Sequence, residues 1–357
     1  MLTHRLKVLV VDDSKVDRML LVHIINSDAR LEVVGIADNG ARALALNVRL
    51  RPDVIIMDVT MPERDGISTA TEIMQTHPVP IVICTTLKGN DATLSFRAME
   101  AGAVALIGKP EGIGHPGYPA SSAEVVNTLL LMAEVRVVRR VPPRGSARVA
   151  VPPGPSANAL SRDDAERGVV VIGASTGGPP ALQALLSRLP EGFPLPVLIV
   201  QHIAPGFLEG MVTWLQLTCA LPVRIAMHGE EARPGHVYLA PDDRHLELSG
   251  AGLLLLAATP VHHGHRPAVG RLFASLGATK LARRSFAVLL TGMGADGAEE
   301  LRHLRDLGAM TLAQDAASCV VNGMPGTAVR LGAACHVMPP ESIAQFLVDQ
   351  TRTLLPP

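Results

Sequence analysis

The sequence predicts an α/β protein of two domains, each a doubly wound parallel sheet with helices on both faces. Before residue 139, short apolar runs with strand character alternate with segments of helical apolar spacing. Residues 139–167 contain five prolines among small and charged residues and show no apolar period, which is typical of a linker. Continuous apolar runs then resume, as expected of central parallel strands. The predicted domains are therefore residues 1–138 and 168–357.

The elements of the first domain follow one another in a regular alternation. The predicted strands are Lys7–Val11, Leu31–Ala37, Val54–Met57, Pro80–Thr85 and Ala103–Ile107. The predicted helices are Asp17–Ile25, Gly40–Leu50, Asp91–Glu100 and Ala123–Val138. Because neighbouring parallel strands need crossover connections, this alternation favours a sheet that is covered on both faces.

The second domain shows three apolar runs that predict buried parallel strands, Val169–Ile172, Val197–Val200 and Ala287–Leu290. Between the second and third runs, residues 223–248 (VRIAMHGEEARPGHVYLAPDDRHLEL) are richer in glycine, proline and aspartate. This composition predicts short strands and turns that form an excursion from the sheet.

Composition narrows the functional classes. The formal net charge is −1 and aromatic residues make up 3% of the chain, so neither nucleic acid nor an anionic membrane is expected as a partner. The N-terminal apolar run stops at two aspartates and lacks a cleavage site, and no run of about 20 apolar residues occurs, so neither a signal peptide nor membrane insertion is expected. The four scattered cysteines favour small buried thiols in a reducing cytoplasm.

Polar residues follow the strands of the first domain at the points where those strands end. Asp12 and Asp13 follow the first strand, Asp58 the third, Thr85 ends the fourth, and Lys109 follows the fifth. Because parallel strands end at one edge, three carboxylates would meet there and repel one another unless a cation such as Mg²⁺ joined them. A hydroxyl and an ammonium group would suit a phosphoryl group on a carboxylate. Helix capping explains any one aspartate alone, but it does not explain five polar residues in register.

The motifs VLVVDDS, PDVIIMDVTMPERDG, IVICTT and GAVALIGKP, within residues 5–138, resemble the receiver domain of two-component response regulators. The resemblance implies a flavodoxin-like fold, phosphorylation by a histidine kinase and a requirement for Mg²⁺. It implies Asp58 as the phospho-acceptor, with Thr85 and Lys109 contacting the phosphoryl group. It also implies the Mg²⁺ ligands Asp13, Asp58 and the carbonyl group of Thr60, with Asp12 acting through water. Leu106 stands where receivers usually have an aromatic residue, so a weaker rotamer switch is expected.

The turn after the first strand of the second domain, Gly173-Ala-Ser-Thr-Gly-Gly178, leads into a helix at Pro179. A helix N-terminus stabilises negative charge, either on a bound phosphate or on a developing oxyanion. Ser175 replaces the middle glycine of the dinucleotide fingerprint, and the lysine of a phosphate-binding loop is missing. The turn alone leaves three possibilities open, namely a phosphate cradle, a nucleophile and a structural turn.

Two further strand ends favour the nucleophile. His202 follows the second strand and Asp296 lies in a glycine-rich turn after the third, so serine, histidine and aspartate meet at one sheet edge. Serine would attack, histidine would accept its proton, and aspartate would hold the imidazole. The glycines on either side of Met293 free backbone N–H groups that could donate to an oxyanion.

The motifs VIGASTGGPPAL, VQHIAPGFLEGM, PGHVYLAPDDRHL, HRPAV, LLTGMGADGAEEL and AQDAASCVVNGMP resemble the catalytic domain of the chemotaxis protein-glutamate methylesterases, over residues 168–350. The resemblance implies a Rossmann-like fold without a cofactor, with Ser175 as nucleophile, His202 as base and Asp296 as its orienting partner. It implies Thr176 as a support near the histidine and the Met293 N–H as oxyanion donor. The implied substrate is a glutamate methyl ester on a cytoplasmic chemoreceptor helix, and sometimes a receptor glutamine.

Several residues depart from that family pattern or have an alternative interpretation. The departures Ala268, Gly270, Ala316 and Asn322 are expected to line the cleft and to affect receptor preference and rate. A metal site is the less favoured interpretation of the histidines, because their spacing is not accompanied by cysteines or clustered carboxylates. The histidines concerned are His236, His245, His262, His263 and His265. A polar cleft loop that includes Arg266 is favoured instead of a metal site.

The sequence therefore predicts a phosphorylation-controlled hydrolase, in which the unphosphorylated receiver occludes Ser175. The rival hypothesis is a phospho-switch without enzymatic activity, whose second domain binds a partner or a nucleotide through residues 173–178. A second rival keeps the hydrolase but changes the substrate.

Overall fold

The computed structural model describes residues 5–61, 65–86, 91–135, 137 and 168–352. The chain divides between Arg148 and Val149 into two compact units, which are described separately. The predicted linker, residues 139–167, lies outside the described residues, and its bounds stay a prediction.

The first unit is a five-stranded parallel sheet with the strand order β2-β1-β3-β4-β5. Its central strands are almost wholly buried and form the core together with the apolar faces of the helices. The strand order reverses between β1 and β3, where Val11 pairs with Met57, so the residues that follow these two strands face one crevice. The strands are β1 (Leu6–Val11), β2 (Leu31–Ala37), β3 (Val54–Met57), β4 (Ile81–Thr85) and β5 (Ala105–Gly108).

Within the residues that the structure describes, four helices connect these strands and a fifth follows β5, and three of the five begin at a side-chain cap. Ser14, Asn39 and Asp65 each accept a hydrogen bond from the backbone three residues further on, which satisfies one of the free N–H groups of the first turn. The helices are α1 (Lys15–Asn26), α2 (Gly40–Leu50), α3 (Gly66–Thr76), α4 (Asp91–Ala101) and α5 (Tyr118–Met132).

Two helices differ from the sequence-based prediction. Helix α3 was not predicted, because its threonines and serine mask an apolar stripe of Ala70, Ile73 and Met74 that is buried in the sheet. Helix α5 begins at Tyr118 and ends at Met132, whereas the prediction placed it at Ala123–Val138. The proline after Tyr118 suits the first turn of a helix and explains the earlier start.

The second unit contains a seven-stranded parallel sheet with the strand order β14-β13-β12-β6-β7-β9-β8. Its strands are β6 (Val170–Ala174), β7 (Val197–Gln201), β8 (Val223–Ile225), β9 (Val237–Leu239), β12 (Phe286–Leu289), β13 (Met310–Gln314) and β14 (His336–Met338). A separate antiparallel pair consists of β10 (His245–Leu248) and β11 (Leu254–Ala257). The prediction of two parallel-sheet α/β domains is thus confirmed.

The predicted excursion in the second unit is only partly correct. Strands β8 and β9 extend the main sheet as parallel strands, and only β10 with β11 leaves it. The helices of this unit are α6 (Gly178–Leu186), α7 (Leu208–Gln216), α8 (Val269–Gly277), α9 (Ala298–Asp306), α10 (Met324–Arg330) and α11 (Pro340–Arg352), and a short 3₁₀ helix covers Ala282–Arg284.

All four cysteines are free thiols. Cys84 and Cys219 are buried as predicted, but Cys335 is exposed and Cys319 is half-buried, so the prediction of four buried thiols was wrong. Within the described residues, no helix combines the length and the apolar composition that crossing a bilayer requires.

Candidate phosphorylation site and candidate active site

In the first unit, the structure brings the three predicted carboxylates together at the ends of β1 and β3. Asp12, Asp13 and Asp58 each offer an oxygen atom, and these atoms all lie within 4.8 Å of one another. Asp12 and Asp58 are buried and Asp13 is exposed. Such a set of oxygen ligands, open to solvent on one side, fits a hard dication such as Mg²⁺.

Lys109 provides the positive charge that this cluster needs. Its Nζ lies 2.8 Å from Asp12 Oδ2, 2.7 Å from Asp58 Oδ2 and 2.7 Å from Asp17 Oδ2. Burial by itself lowers the pKa of Lys109, but the hydrogen bonds to the three aspartates outweigh it and raise the pKa. Burial raises the pKa of Asp12, and the contact with Lys109 offsets part of that rise. The ammonium group of Lys109 therefore already balances part of the negative charge of the carboxylate cluster.

Asp58, the predicted phospho-acceptor, is surrounded by donors. Thr85 donates its hydroxyl to Asp58 Oδ1 at 2.9 Å, and the backbone N–H of Thr60 approaches the same oxygen at 3.2 Å. Leu106, on β5, is half-buried and packs against the apolar core of the unit. Sequence reasoning missed Asp17, whose only signal was its position in the first turn of α1, just after the carboxylates.

In the second unit, the backbone around Ser175 is held on three sides. Its N–H donates to the carbonyl group of Thr291 at 3.0 Å, and its carbonyl group accepts from Gly178 at 2.7 Å and from the Gln201 side chain at 2.8 Å. Gly177 begins α6 with a φ of 76°, a backbone conformation that glycine adopts without strain. Gln201 is a buried residue that sequence reasoning missed. The sequence feature that could have identified Gln201 is its polar side chain at the end of an apolar strand.

His202 and Asp296 are direct neighbours in the second unit. The Nε2 atom of His202 lies 3.0 Å from Asp296 Oδ2. Asp296 is buried and also accepts hydrogen bonds from the backbone N–H groups of Val269, at 2.7 Å, and Gly270, at 2.9 Å. Burial raises the pKa of Asp296, but His202 and the two amides together lower it below its usual value. Asp296 is therefore held as a carboxylate facing the imidazole.

The strand order explains how these residues meet. Strand β6 lies between β12 and β7, and Ala174 pairs with Gln201, so Ser175 and His202 occupy the next position along neighbouring strands. Asp296 follows β12 on the other side of β6. Both ring nitrogens of His202 are buried and lack a well-aligned hydrogen bond among the described residues, although Nε2 lies within ion-pair distance of Asp296.

The turn around Met293 lies directly against Ser175. A Cβ atom on Gly292 would come within 2.7 Å of the Ser175 Cβ, so only glycine permits this approach. The Met293 side chain is 53% exposed, and Gly294 has a φ of 82°. The carbonyl group of Thr176 accepts a hydrogen bond from the Thr291 hydroxyl at 2.9 Å, which ties the Ser175 turn to β12.

A ring that was not predicted as a partner packs on His202. The imidazole of His265 stacks on that of His202 with the centroids 3.8 Å apart and the planes 10° apart. Burial, followed by Coulomb repulsion from His202 and offset in part by Asp296, lowers the pKa of His265. The loop that was interpreted as part of a polar cleft therefore forms one wall of the candidate active site.

The departures from the family pattern do not all line a cleft. Ala268 is buried, and its N–H donates to His245 Nδ1 at 3.2 Å, while Gly270 supports Asp296 through its backbone. Ala316 and Asn322 are exposed. The expectation that all four residues line the cleft was therefore wrong for Ala268 and Gly270, which are packed beneath it.

Comparisons with known proteins agree with this architecture. Residues 8–115 match the family model of the response regulator receiver domain, and residues 170–347 match that of the CheB methylesterase. The chain is similar to protein-glutamate methylesterase/protein-glutamine glutaminase 4 of Geobacter metallireducens, with 45% identity over 345 residues, 96% of this chain and 98% of the relative. It is 48% identical over 345 residues to protein-glutamate methylesterase/protein-glutamine glutaminase 3 of Anaeromyxobacter dehalogenans, again 96% of this chain and 98% of the relative.

Among solved structures, the crystal structure of the Thermotoga maritima CheB methylesterase catalytic domain matches with a TM-score of 0.50 and 37% identity, over 52% of this chain and 98% of that chain. The match in sequence runs through both units, and the match in structure covers the unit that holds Ser175, His202 and Asp296. The chain belongs to the family of two-domain protein-glutamate methylesterases/protein-glutamine glutaminases.

Proposed function

We propose that this protein hydrolyses the methyl esters of glutamate side chains on the cytoplasmic helices of chemoreceptors, and that it also deamidates receptor glutamines. The observation that carries the proposal is the pair of His202 and Asp296. The imidazole lies 3.0 Å from a buried carboxylate that two backbone amides hold in place, at the sheet edge where Ser175 ends the strand between them.

The reaction would proceed by acyl transfer to serine. The Oγ atom of Ser175 attacks the ester carbonyl while His202 takes its proton. Because Nε2 of His202 lies 3.0 Å from Asp296 Oδ2, we assign Nδ1 as the nitrogen that accepts this proton. The tetrahedral intermediate then collapses, and methanol leaves with the proton from His202. Water, deprotonated by His202, attacks the acyl-enzyme and releases the glutamate carboxylate and Ser175.

The negative charge on the tetrahedral intermediate needs donors that are already in place. The N–H of Met293 is the proposed donor, because its turn lies next to Ser175. The first three residues of α6 supply none, since the N–H of Gly178 already donates to the Ser175 carbonyl group and Pro179 and Pro180 carry no N–H. In deamidation the same steps release ammonia in place of methanol. Thr176 is proposed as a support on the histidine side of the site.

Control is proposed to come from phosphorylation of Asp58 by a histidine kinase. Mg²⁺, when bound by Asp12, Asp13, Asp58 and the carbonyl group of Thr60, would supply positive charge that favours phosphoryl transfer. Lys109 and Thr85, which already contact Asp58, would then contact the phosphoryl oxygens. The unphosphorylated receiver is proposed to occlude Ser175. Because the kinase and the receptor helices act in the cytoplasm, the same location is proposed for this protein.

The test is the release of methanol from methylated chemoreceptor membranes, with and without a small-molecule phosphodonor and Mg²⁺. We expect release by the wild type that rises with the donor, no release by Ser175→Ala, and no response to the donor in Asp58→Asn. Ser187→Ala, an exposed serine just after α6, is the matched control and should behave as wild type. Unchanged release by Ser175→Ala would contradict the proposal and favour the phospho-switch without enzymatic activity.

A further inference from the structure

The segment His262–His265 forms a minimal β-hairpin beside the candidate active site. His262 and His265 exchange two backbone hydrogen bonds of 3.0 Å, and the turn between them is His263, with a φ of 50°, and Gly264, with a φ of 82°. Two successive positive φ values are typical of the tight hairpin turn whose twist matches that of its strands. The turn places the rings of His262 and His263 in a stack with the centroids 4.2 Å apart. The backbone therefore places the two histidines at adjacent positions of one tight turn.

Glu300, on helix α9, faces this hairpin. Its Oε1 atom lies 3.4 Å from His262 Nε2, whereas its Oε2 atom is buried and has no hydrogen-bond partner among the described residues. Gly270 makes room for the carboxylate, because a Cβ atom there would lie 2.9 Å from Glu300 Cδ. A buried carboxylate oxygen without a donor costs free energy, so a ligand for it is expected.

The geometry of this cluster suits a metal ion better than a hydrogen bond. One ligand atom from each of His262, His263 and Glu300 lies within 4.8 Å of the others. The 3.4 Å between His262 Nε2 and Glu300 Oε1 is long for a hydrogen bond. It is close to the separation of roughly 3.4 Å between two ligands of tetrahedral Zn²⁺, whose bonds to nitrogen and oxygen are about 2.0–2.2 Å. Two imidazoles and one carboxylate are a ligand set that Zn²⁺ prefers.

The surrounding charges also favour a cation. The Nδ1 atom of His263 lies 3.9 Å from Asp296 Oδ1, so a second buried carboxylate is close by. Among the residues that the structure describes, neither Glu300 nor Asp296 pairs with a lysine or an arginine, and their only ion-pair partners are histidines. The side chain of His263 is 49% exposed, which leaves room for a water molecule as the fourth ligand.

We propose that His262, His263 and Glu300 form a binding site for Zn²⁺ next to the Ser175, His202 and Asp296 set. The sequence favoured a polar loop here, because no carboxylate accompanies the histidines along the chain. Glu300 follows them by 38 positions and reaches them only through the fold.

The test is a Zn²⁺ titration of the full-length protein in competition with a chromophoric chelator, with excess Mg²⁺ to occupy the receiver carboxylates. We expect one equivalent of Zn²⁺ to bind, and we expect Glu300→Gln and His262→Ala each to weaken binding at least about tenfold. Glu299→Gln, an exposed neighbour on α9, and His303→Ala, exposed one turn further on, are the matched controls and should bind as wild type. Equal affinity in Glu300→Gln and Glu299→Gln would overturn the proposal.

A second readout rests on the proposed function. Because His265 belongs to the same hairpin and stacks on His202, Zn²⁺ should slow methanol release by the wild type more than by Glu300→Gln. Equal slowing in both proteins would contradict a role for this site in the reaction. If the metal-free wild type releases no methanol while one Zn²⁺ still binds through Glu300, the proposed function fails and the metal site stands.

Discussion

Both candidate sites stabilise the negative charge of a buried aspartate, but they do so with different hydrogen-bond donors. Each places a buried aspartate at the carboxyl edge of a parallel sheet. Asp58 is balanced mainly by the side chains of Lys109 and Thr85, which side-chain rotation can move, with one longer contact from the backbone N–H of Thr60. Asp296 is held by the backbone amides of Val269 and Gly270, which cannot leave without unfolding the start of α8. Side-chain donors suit a carboxylate that must react, whereas backbone donors suit a carboxylate that must stay fixed.

The strongest test of this comparison is to remove the fixed charge. In Asp296→Asn, the amide side chain cannot balance the imidazolium and would present a donor to the backbone N–H groups. We expect methanol release to fall by roughly 10³–10⁴-fold. Asp306→Asn, an exposed aspartate at the end of α9, should leave the rate unchanged. A loss of less than tenfold in Asp296→Asn would contradict the role of this residue.

The movable cation is tested by Lys109→Met. This change leaves Asp12, Asp17 and Asp58 without their shared partner, so the free energy of unfolding of the first unit should fall by roughly 3–5 kcal/mol. Mg²⁺ should restore more stability in the variant than in the wild type, because it replaces the missing charge. Urea unfolding with and without Mg²⁺ measures both effects, and the exposed Lys15→Met is the control. Equal stabilisation by Mg²⁺ in both proteins would show that Lys109 does not neutralise the cluster.

The rigidity of the second site is tested by Gly178→Ala. A Cβ atom there would lie 2.0 Å from Gln201 Oε1 and would displace the side chain that holds the carbonyl groups of Ser175 and His202. We expect kcat to fall by about tenfold through misplacement of Ser175. In Gly192→Ala the added Cβ meets nothing within 4 Å, and the rate should match wild type. Identical kcat values in the two variants would mean that this contact does not position the nucleophile.

The smallest expected effect is on the pH dependence of stability. The pKa of Asp296 is lowered in the folded protein, by His202 and the two amides acting against burial. Its carboxylate therefore contributes stability that is present above the unfolded-state pKa of about 3.9 and is lost as the pH falls through the folded-state pKa. The difference in unfolding free energy between wild type and Asp296→Asn should shrink as the pH falls from about 5 to below about 3.9. A difference that stays constant over this range would contradict the lowered pKa.

Local patterns were enough to predict most of the fold. Apolar runs and helical spacing identified the buried central strands, because burial on both faces leaves a continuous apolar signature. They missed α3, because its serine and threonines, of which Thr69 is itself buried, interrupt the apolar pattern of the buried stripe. They also misplaced β8 and β9, since short strands at the edge of a sheet carry little apolar signal.

The candidate sites were predicted to a similar extent. Strand ends identified Asp58, Lys109, Ser175 and His202, because a polar residue directly after a buried strand stands out in the sequence. The supporting contacts were not visible. Asp17, Gln201 and His265 reach their partners by packing, and nothing in their local sequence shows which group they face.

Local properties of the chain, namely strand burial and turn chemistry, were sufficient to identify the polar side chains that stand at the ends of buried strands. Which strands are neighbours depends on the tertiary structure. The order β12-β6-β7 places Asp296 and His202 on either side of Ser175, and the packing of α9 against Gly270 brings Glu300 to His262. Contacts between residues far apart in the chain depend on the strand order and helix packing of the whole sheet, and no short segment encodes these.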